Sequence, residues 1–118
     1  MKYGRQRFLT APLMKWMFGK YVSDPAQRGN DLMSPVRASA ERLRGLPATL
    51  IVVAENDILR DEGEAMGRRL DEAGVEVTTV RFNGVVHDWG MLNGFAALHP
   101  TRTLIRLVGS VLRDYLEK

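Results

Sequence analysis

The 118-residue sequence contains no cysteine. This absence excludes a disulfide framework, a thiolate zinc site and a cysteine nucleophile. No apolar run reaches the roughly 18 residues that a membrane span requires, so we expect no transmembrane segment. The N-terminus also lacks the apolar stretch of a secretory signal, which favours a cytoplasmic location.

Charge of one sign is not concentrated anywhere in the chain. The 17 Lys+Arg residues outnumber the 14 Asp+Glu residues only slightly, and the arginines occur in pairs at most. A nucleic-acid-binding surface normally needs a basic cluster, so we expect no nucleic-acid partner. The two histidines, His87 and His99, stand in different contexts and predict no metal site. No G-x-G-x-x-G follows either predicted strand, so we expect no dinucleotide cofactor and no other cofactor.

The chain has the composition of a globular protein, with 45% hydrophobic and 26% charged residues, and a length that suits one domain or part of one. Residues 1–46 predict a helix followed by an irregular segment. Thr10 can cap this helix and Pro12 suits its first turn. Because the helix is apolar on more than one side as far as Tyr21, we expect it to be covered. A short helical turn near Ala40 to Leu43 interrupts the turn signals that follow.

Residues 47–118 predict a βαβα unit. The run from Thr49 to Ala54 is continuously apolar, which is typical of a strand that is buried on both faces in a parallel sheet. The elements that follow are predicted as a helix from Asp61 to Ala73 stopped by Gly74, a strand from Val75 to Phe82, a loop from Asn83 to His99 and a final helix opened by Pro100 and Thr101. This order indicates an α/β fold with a short parallel sheet and flanking helices.

Two polar residues follow the predicted strands at the edge where open parallel sheets bind ligands. Asp57 comes after the first strand and His87 after the second. Neighbouring strands lie about 4.8 Å apart, so a carboxylate and an imidazole could meet there. Such a pair makes up two-thirds of a nucleophilic triad. The pattern leaves two other interpretations open, a helix cap for Asp57 and a surface position for His87.

Two motifs resemble those of the hormone-sensitive-lipase-like family of α/β-hydrolases. The segment from Val53 to Gly63, VAENDILRDEG, resembles the family's acid motif, and the segment from Asn83 to Trp89, NGVVHDW, resembles its histidine motif. Supporting similarities lie upstream, at residues 8–10, 34–38 and 46–48, so the resemblance extends from about Gly4 to the end of the chain.

The resemblance implies a carboxylic-ester hydrolase of the esterase or lipase type that acts on a small-molecule ester. Asp57 would be the triad acid and His87 the general base. Many family members have glycine where this chain has Asp88. We expect the Asp88 carboxylate to face solvent and assign it no role.

The family's nucleophilic serine lies in G-x-S-x-G, and its oxyanion hole is formed by an HGGG-type loop. The four serines stand in other contexts, and no His-Gly-Gly run occurs; they are Ser23, Ser34, Ser39 and Ser110. The resemblance therefore implies that residues 1–118 form a single C-terminal fragment of an α/β-hydrolase domain, which we expect to be inactive alone.

Two alternatives stay open. In a split hydrolase, another polypeptide would supply the serine and the oxyanion loop. A non-catalytic module that self-associates or binds a ligand would instead have no G-x-S-x-G encoded upstream and no activity that depends on His87. In a truncated chain the first strand lacks its interior neighbour, and an open apolar edge invites pairing with another chain, so we expect a homo-oligomer formed through that edge.

Overall fold

The computed structural model describes residues 8–117. These residues form four α-helices and two strands: α1 (Ala11–Tyr21), α2 (Ala40–Leu43), β1 (Thr49–Asn56), α3 (Arg60–Glu72), β2 (Val77–Val86) and α4 (His99–Leu116). Three short 3-10 helices lie at Pro25–Gly29, Pro35–Arg37 and Asn93–Phe95. Residues 1–7 lie outside the described residues, as does Lys118. The expectation about a secretory signal and the start of the family resemblance near Gly4 fall on residues 1–7.

The two strands form a parallel sheet joined by α3. The register runs from Thr49 opposite Val77 to Ala54 opposite Phe82. This arrangement confirms the predicted α/β class and the βαβα order. Within residues 8–117 the sheet has these two strands, so one edge of β1 has no strand beside it.

The boundaries of β2 differ from the prediction. The strand begins at Val77 rather than Val75, because Val75 takes part in the C-terminal cap of α3, which ends at Glu72. Gly74 adopts a left-handed φ of 80°, and the N–H of Val75 donates to the carbonyl of Leu70 at 3.0 Å, as in a Schellman motif. The strand also continues to Val86, through the segment that the turn signals of Asn83 and Gly84 marked as loop.

Apolar clusters cover both faces of the sheet. One cluster packs α3 and the segment before β1 against the strands. It contains Ala38, Leu43, Leu70, Ala73 and Val75, with Ile51, Met66 and Val77 beside them. The other lies towards α4 and contains Ala54, Val85 and Trp89, with Val52, Phe82, Phe95 and Leu104 beside them. Side chains from both faces of β1 therefore pack in apolar clusters, as its continuous hydrophobic pattern predicted. Most of β1 is half-buried rather than buried.

The expectation that α1 is covered is wrong. The helix begins as predicted, because the Thr10 hydroxyl accepts from the N–H of Leu13 at 3.3 Å, but none of its residues is buried. Trp16 is 62% exposed and Tyr21 is 72% exposed. The residues just outside the two ends, Leu9 and Val22, are buried. The helix is therefore anchored at its ends, while most of its large apolar side chains lie on the surface.

In the described part of the chain, no helix is both long enough and apolar enough to cross a membrane.

Candidate active site

The carboxyl ends of β1 and β2 lie next to each other and carry the two residues singled out from the sequence. Asn56 at the end of β1 pairs with Val86 at the end of β2. Asp57 directly follows β1, and His87 directly follows β2. Because the strands are parallel, both side chains emerge at the same edge of the sheet, where open α/β sheets bind their ligands.

Asp57 and His87 are in direct contact. The distance from His87 Nδ1 to Asp57 Oδ2 is 2.7 Å, and the His87 and Asp57 side chains are 25% and 11% exposed. An ionised carboxylate can only accept a hydrogen bond, so the proton of this bond lies on Nδ1. In the neutral imidazole, Nε2 then carries a lone pair and can accept a proton.

The Asp57 carboxylate also accepts a hydrogen bond within the turn that precedes α3. Its other oxygen, Oδ1, accepts from the backbone N–H of Leu59 at 2.9 Å. The helix-cap interpretation of Asp57 is wrong, because the N-cap of α3 is Leu59 and no side chain caps the helix. This second bond holds the carboxylate in place, so the imidazole meets an acceptor of fixed orientation.

Asp88 lies closer to the pair than expected. Its carboxylate is 47% exposed, in line with a solvent-facing side chain, yet Oδ1 stands 3.4 Å from His87 Nε2. Asp88 adopts a φ of 58°, the left-handed region that favours glycine. Only the protonated imidazolium could donate to both carboxylates, because neutral His87 has one N–H.

Glu55 and Arg60 also lie near the carboxyl end of β1. Neither was predicted from the sequence as a site residue. Glu55 Oε2 accepts from the N–H of Gly84 at 2.7 Å. Arg60 Nη1 donates to the carbonyl of Glu55 at 2.8 Å. The only sequence signal was the position of both residues inside the acid motif.

An aromatic pair is formed by residues on either side of His87 in the sequence. The Phe82 and Trp89 rings are 5.4 Å apart at an interplanar angle of 43°, and Trp89 is 5% exposed. Trp89 follows His87 by two residues, so its burial ties the segment that carries the imidazole to the apolar cluster that includes Ala54. We conclude that hydrophobic packing as well as hydrogen bonding restrains the site.

Among residues 8–117, no serine hydroxyl forms a hydrogen bond with His87. Ser34 donates to the carbonyl of Arg28 at 2.9 Å, and Ser39 caps α2. Ser23 and Ser110 are exposed, the first in a loop and the second within α4.

His99 is exposed at the first residue of α4. In the same described range, no group of three or more potential ligand side chains could hold a metal ion.

Sequence and structure comparisons identify the relatives of this chain. Residues 1–91 match the family described as alpha/beta hydrolase fold. An arylesterase of Saccharolobus solfataricus is 37% identical over 80% of this chain, and an ethyl acetate hydrolase of Pseudomonas putida is 36% identical over 75%. A thermostable esterase from Pseudomonas putida of known crystal structure is 44% identical and superimposes with a TM-score of 0.89 over 92% of this chain.

The chain covers only part of each relative. It spans 28% of the arylesterase and 27% of the ethyl acetate hydrolase, and 34% of the crystallised esterase. The family match, the esterase relatives and the shared architecture confirm the resemblance found in the sequence. The chain belongs to the alpha/beta hydrolase fold family.

Proposed function

We propose that this chain supplies the acid–base pair of a serine-type carboxylic-ester hydrolase. The observation that carries the proposal is the 2.7 Å contact between His87 Nδ1 and Asp57 Oδ2 at the carboxyl end of the sheet. In this role His87 Nε2 takes the proton of a serine hydroxyl and later delivers it to the leaving alcohol. Asp57 holds the reactive tautomer and stabilises the imidazolium that forms.

The substrate we propose is a small carboxylic ester. The names of two relatives, an arylesterase and an ethyl acetate hydrolase, support this class. The acyl and alcohol preferences would depend on side chains around the ester, and this chain contributes only one edge of the site.

The nucleophile of the proposed enzyme lies outside these residues. No G-x-S-x-G occurs in the sequence, and the described serines are engaged elsewhere or lie in other elements. The serine and the oxyanion donors would come from another segment of protein, joined to this chain or separate from it. We therefore propose that the 118 residues alone do not turn over esters.

The isolated chain provides the first test. We expect it to cleave p-nitrophenyl acetate no faster than its His87→Ala and Asp57→Ala variants, because an imidazole without a serine or oxyanion donors gives only background hydrolysis. Free imidazole at the same concentration sets the baseline. If the wild-type chain exceeds both variants by about a hundredfold, as a positioned base would allow, the proposal that the chain lacks its own nucleophile is wrong.

A second proposal, favoured by a separate observation, is that the isolated chain self-associates through the open edge of β1. A groove of about 880 Å³ lies between the sheet and α4 and is lined from both strands, and Leu50, Val52 and Val111 contribute to its apolar lining. Leu112 on the same wall is 54% exposed. An exposed apolar strand edge is a template for pairing with a second chain.

Light scattering at tens-of-micromolar concentration tests this association. We expect a dimer or a larger oligomer, and Leu50→Lys, which places a charge in the groove, should shift the population towards monomer. The matched control is Leu32→Lys, because Leu32 is 70% exposed and does not line the groove. A wild-type chain that is monomeric at these concentrations would contradict the proposal.

A further inference from the structure

The register between the two strands changes just before the site. Ala54 pairs with Phe82, and the next pair joins Asn56 to Val86. Between these pairs β1 advances by two residues and β2 advances by four. β2 therefore contains a two-residue insertion, a β-bulge next to the candidate active site.

This insertion decides which residue of β2 lies opposite Asp57. In an uninterrupted register, Gly84 would pair with Asn56, and Val85 would stand opposite Asp57. The insertion moves His87 into that position instead. Because two residues are added, the alternation of side chains between the faces of the sheet is kept. The contact between Asp57 and His87 therefore depends on the bulge.

The bulge is held by a carboxylate of the neighbouring strand. Gly84, inside the insertion, has a φ of 74°, which glycine adopts without the penalty of a side chain. Its N–H donates to Glu55 Oε2 at 2.7 Å. Glu55 stands between the paired residues of β1 on either side of the register change, directly across from the insertion. A hydrogen bond to an ionised acceptor is shorter and stronger than a neutral one.

The backbone from which the Glu55 side chain extends is itself fixed. Its carbonyl accepts from Arg60 Nη1 at 2.8 Å, and Arg60 also pairs with Asp61, with 2.7 Å between Nη2 and Oδ1. Arg60, in the first turn of α3, thus holds the β1 backbone at Glu55 by a hydrogen bond. The Glu55 carboxylate holds the β2 backbone by accepting from the Gly84 N–H.

We infer that Glu55 is a positioning residue for His87: its hydrogen bond to the Gly84 N–H stabilises the insertion that sets the imidazole against Asp57. Glu55 acts through the backbone of β2 and does not touch the reacting atoms. The inference rests on the proposed function only in taking His87 as the base. The structural dependence of the His87–Asp57 contact on Glu55 can be tested without any ester hydrolysis.

The experiment compares Glu55→Ala and Glu55→Gln in the full chain by proton NMR. The readout is the low-field resonance of the His87 Nδ1–H bonded to Asp57, assigned by its loss in His87→Ala. We expect this resonance in the wild type and in Glu55→Gln, whose amide oxygen can still accept from Gly84, and its loss in Glu55→Ala. If Glu55→Ala retains the resonance at wild-type intensity, the inference is wrong.

A matched control separates positioning from general loss of stability. Glu64 also reaches β2 from a neighbouring element, since its Oε1 lies 2.6 Å from Arg81 Nε, but it does not touch the insertion. We expect Glu64→Ala to retain the resonance. Loss of the resonance in Glu64→Ala to the same extent as in Glu55→Ala would overturn a specific role of Glu55.

A second measurement decides the matter if Glu55→Ala does not fold. In the labelled wild-type chain, a through-hydrogen-bond coupling is expected between the Gly84 amide nitrogen and the Glu55 carboxyl carbon. Absence of that coupling while the His87 resonance is present would show that the insertion holds without Glu55. Failure of the proposed function looks different: the resonance and the coupling would be intact, and an assembled enzyme would hydrolyse esters without His87.

Discussion

His87→Ala is expected to lower kcat/KM for p-nitrophenyl acetate by about 10⁴- to 10⁶-fold in an assembled enzyme, the range found when the base of a triad is removed. A suitable assembly is a chimera in which this chain replaces the segment that it matches in the Pseudomonas putida esterase, where the TM-score is 0.89. The physical reason is the position of Nε2, the ring nitrogen opposite the Asp57 bond, which is left to receive the serine proton.

The second histidine supplies the control for this experiment. His99 is exposed at the start of α4, so His99→Ala should leave the chimera's kcat/KM unchanged. A His87→Ala chimera that stays within about tenfold of its parent, less than a general base normally contributes, would exclude His87 as the base.

Asp57→Asn is expected to reduce kcat/KM of the same chimera by about 10⁴-fold, even though asparagine has nearly the same shape as aspartate. The side-chain oxygen of the introduced asparagine can keep the bond to the Leu59 N–H that Asp57 makes at 2.9 Å. The amide NH₂ group then faces His87 Nδ1, which must become an acceptor. The ring proton moves to Nε2, where it blocks acceptance of the serine proton.

The control for this substitution is Asp71→Asn, on the exposed side of α3, which should not change the rate. Circular dichroism of the Asp57→Asn chimera should match that of its parent, because the hydrogen bond to the Leu59 N–H in the turn before α3 is retained. Full activity in a folded Asp57→Asn chimera would mean that His87 does not need a carboxylate to hold its tautomer, and our assignment of Asp57 would fail.

The strands, the helix between them and the two residues at their ends could be predicted because their signals are local. A continuous apolar run, an amphipathic helix and a β-branched run fix the βαβα order without knowledge of distant contacts. Parallel strands then bring Asp57 and His87 to one edge. The motif resemblance added the expectation that these two residues act together, and the 2.7 Å contact agrees with that expectation.

The insertion in β2 could not be predicted, because its stabilising hydrogen bond joins Glu55 to Gly84, 29 residues apart. Seen locally, Asn83 and Gly84 are turn residues, and they indicated the end of the strand. The tertiary contact overrides that local signal and allows the strand to continue through the left-handed glycine to Val86.

The surroundings of helix α1 and of Asp88 could not be predicted from the sequence either. The apolar residues of α1 predicted burial, but a pattern gives only the tendency of a side chain to be buried, and burial itself requires a packing partner. The exposure of Asp88 was predicted correctly, yet its 3.4 Å distance from Nε2 depends on the left-handed backbone at that residue.

The measurement that tests the central claim most directly compares p-nitrophenyl acetate hydrolysis by the chimera with that by the isolated chain at equal concentration. If this chain supplies the acid–base pair and the rest of the chimera supplies the serine and the oxyanion donors, the chimera should be faster by at least about 10⁴-fold. A folded chimera that is no faster than the isolated chain would contradict the account.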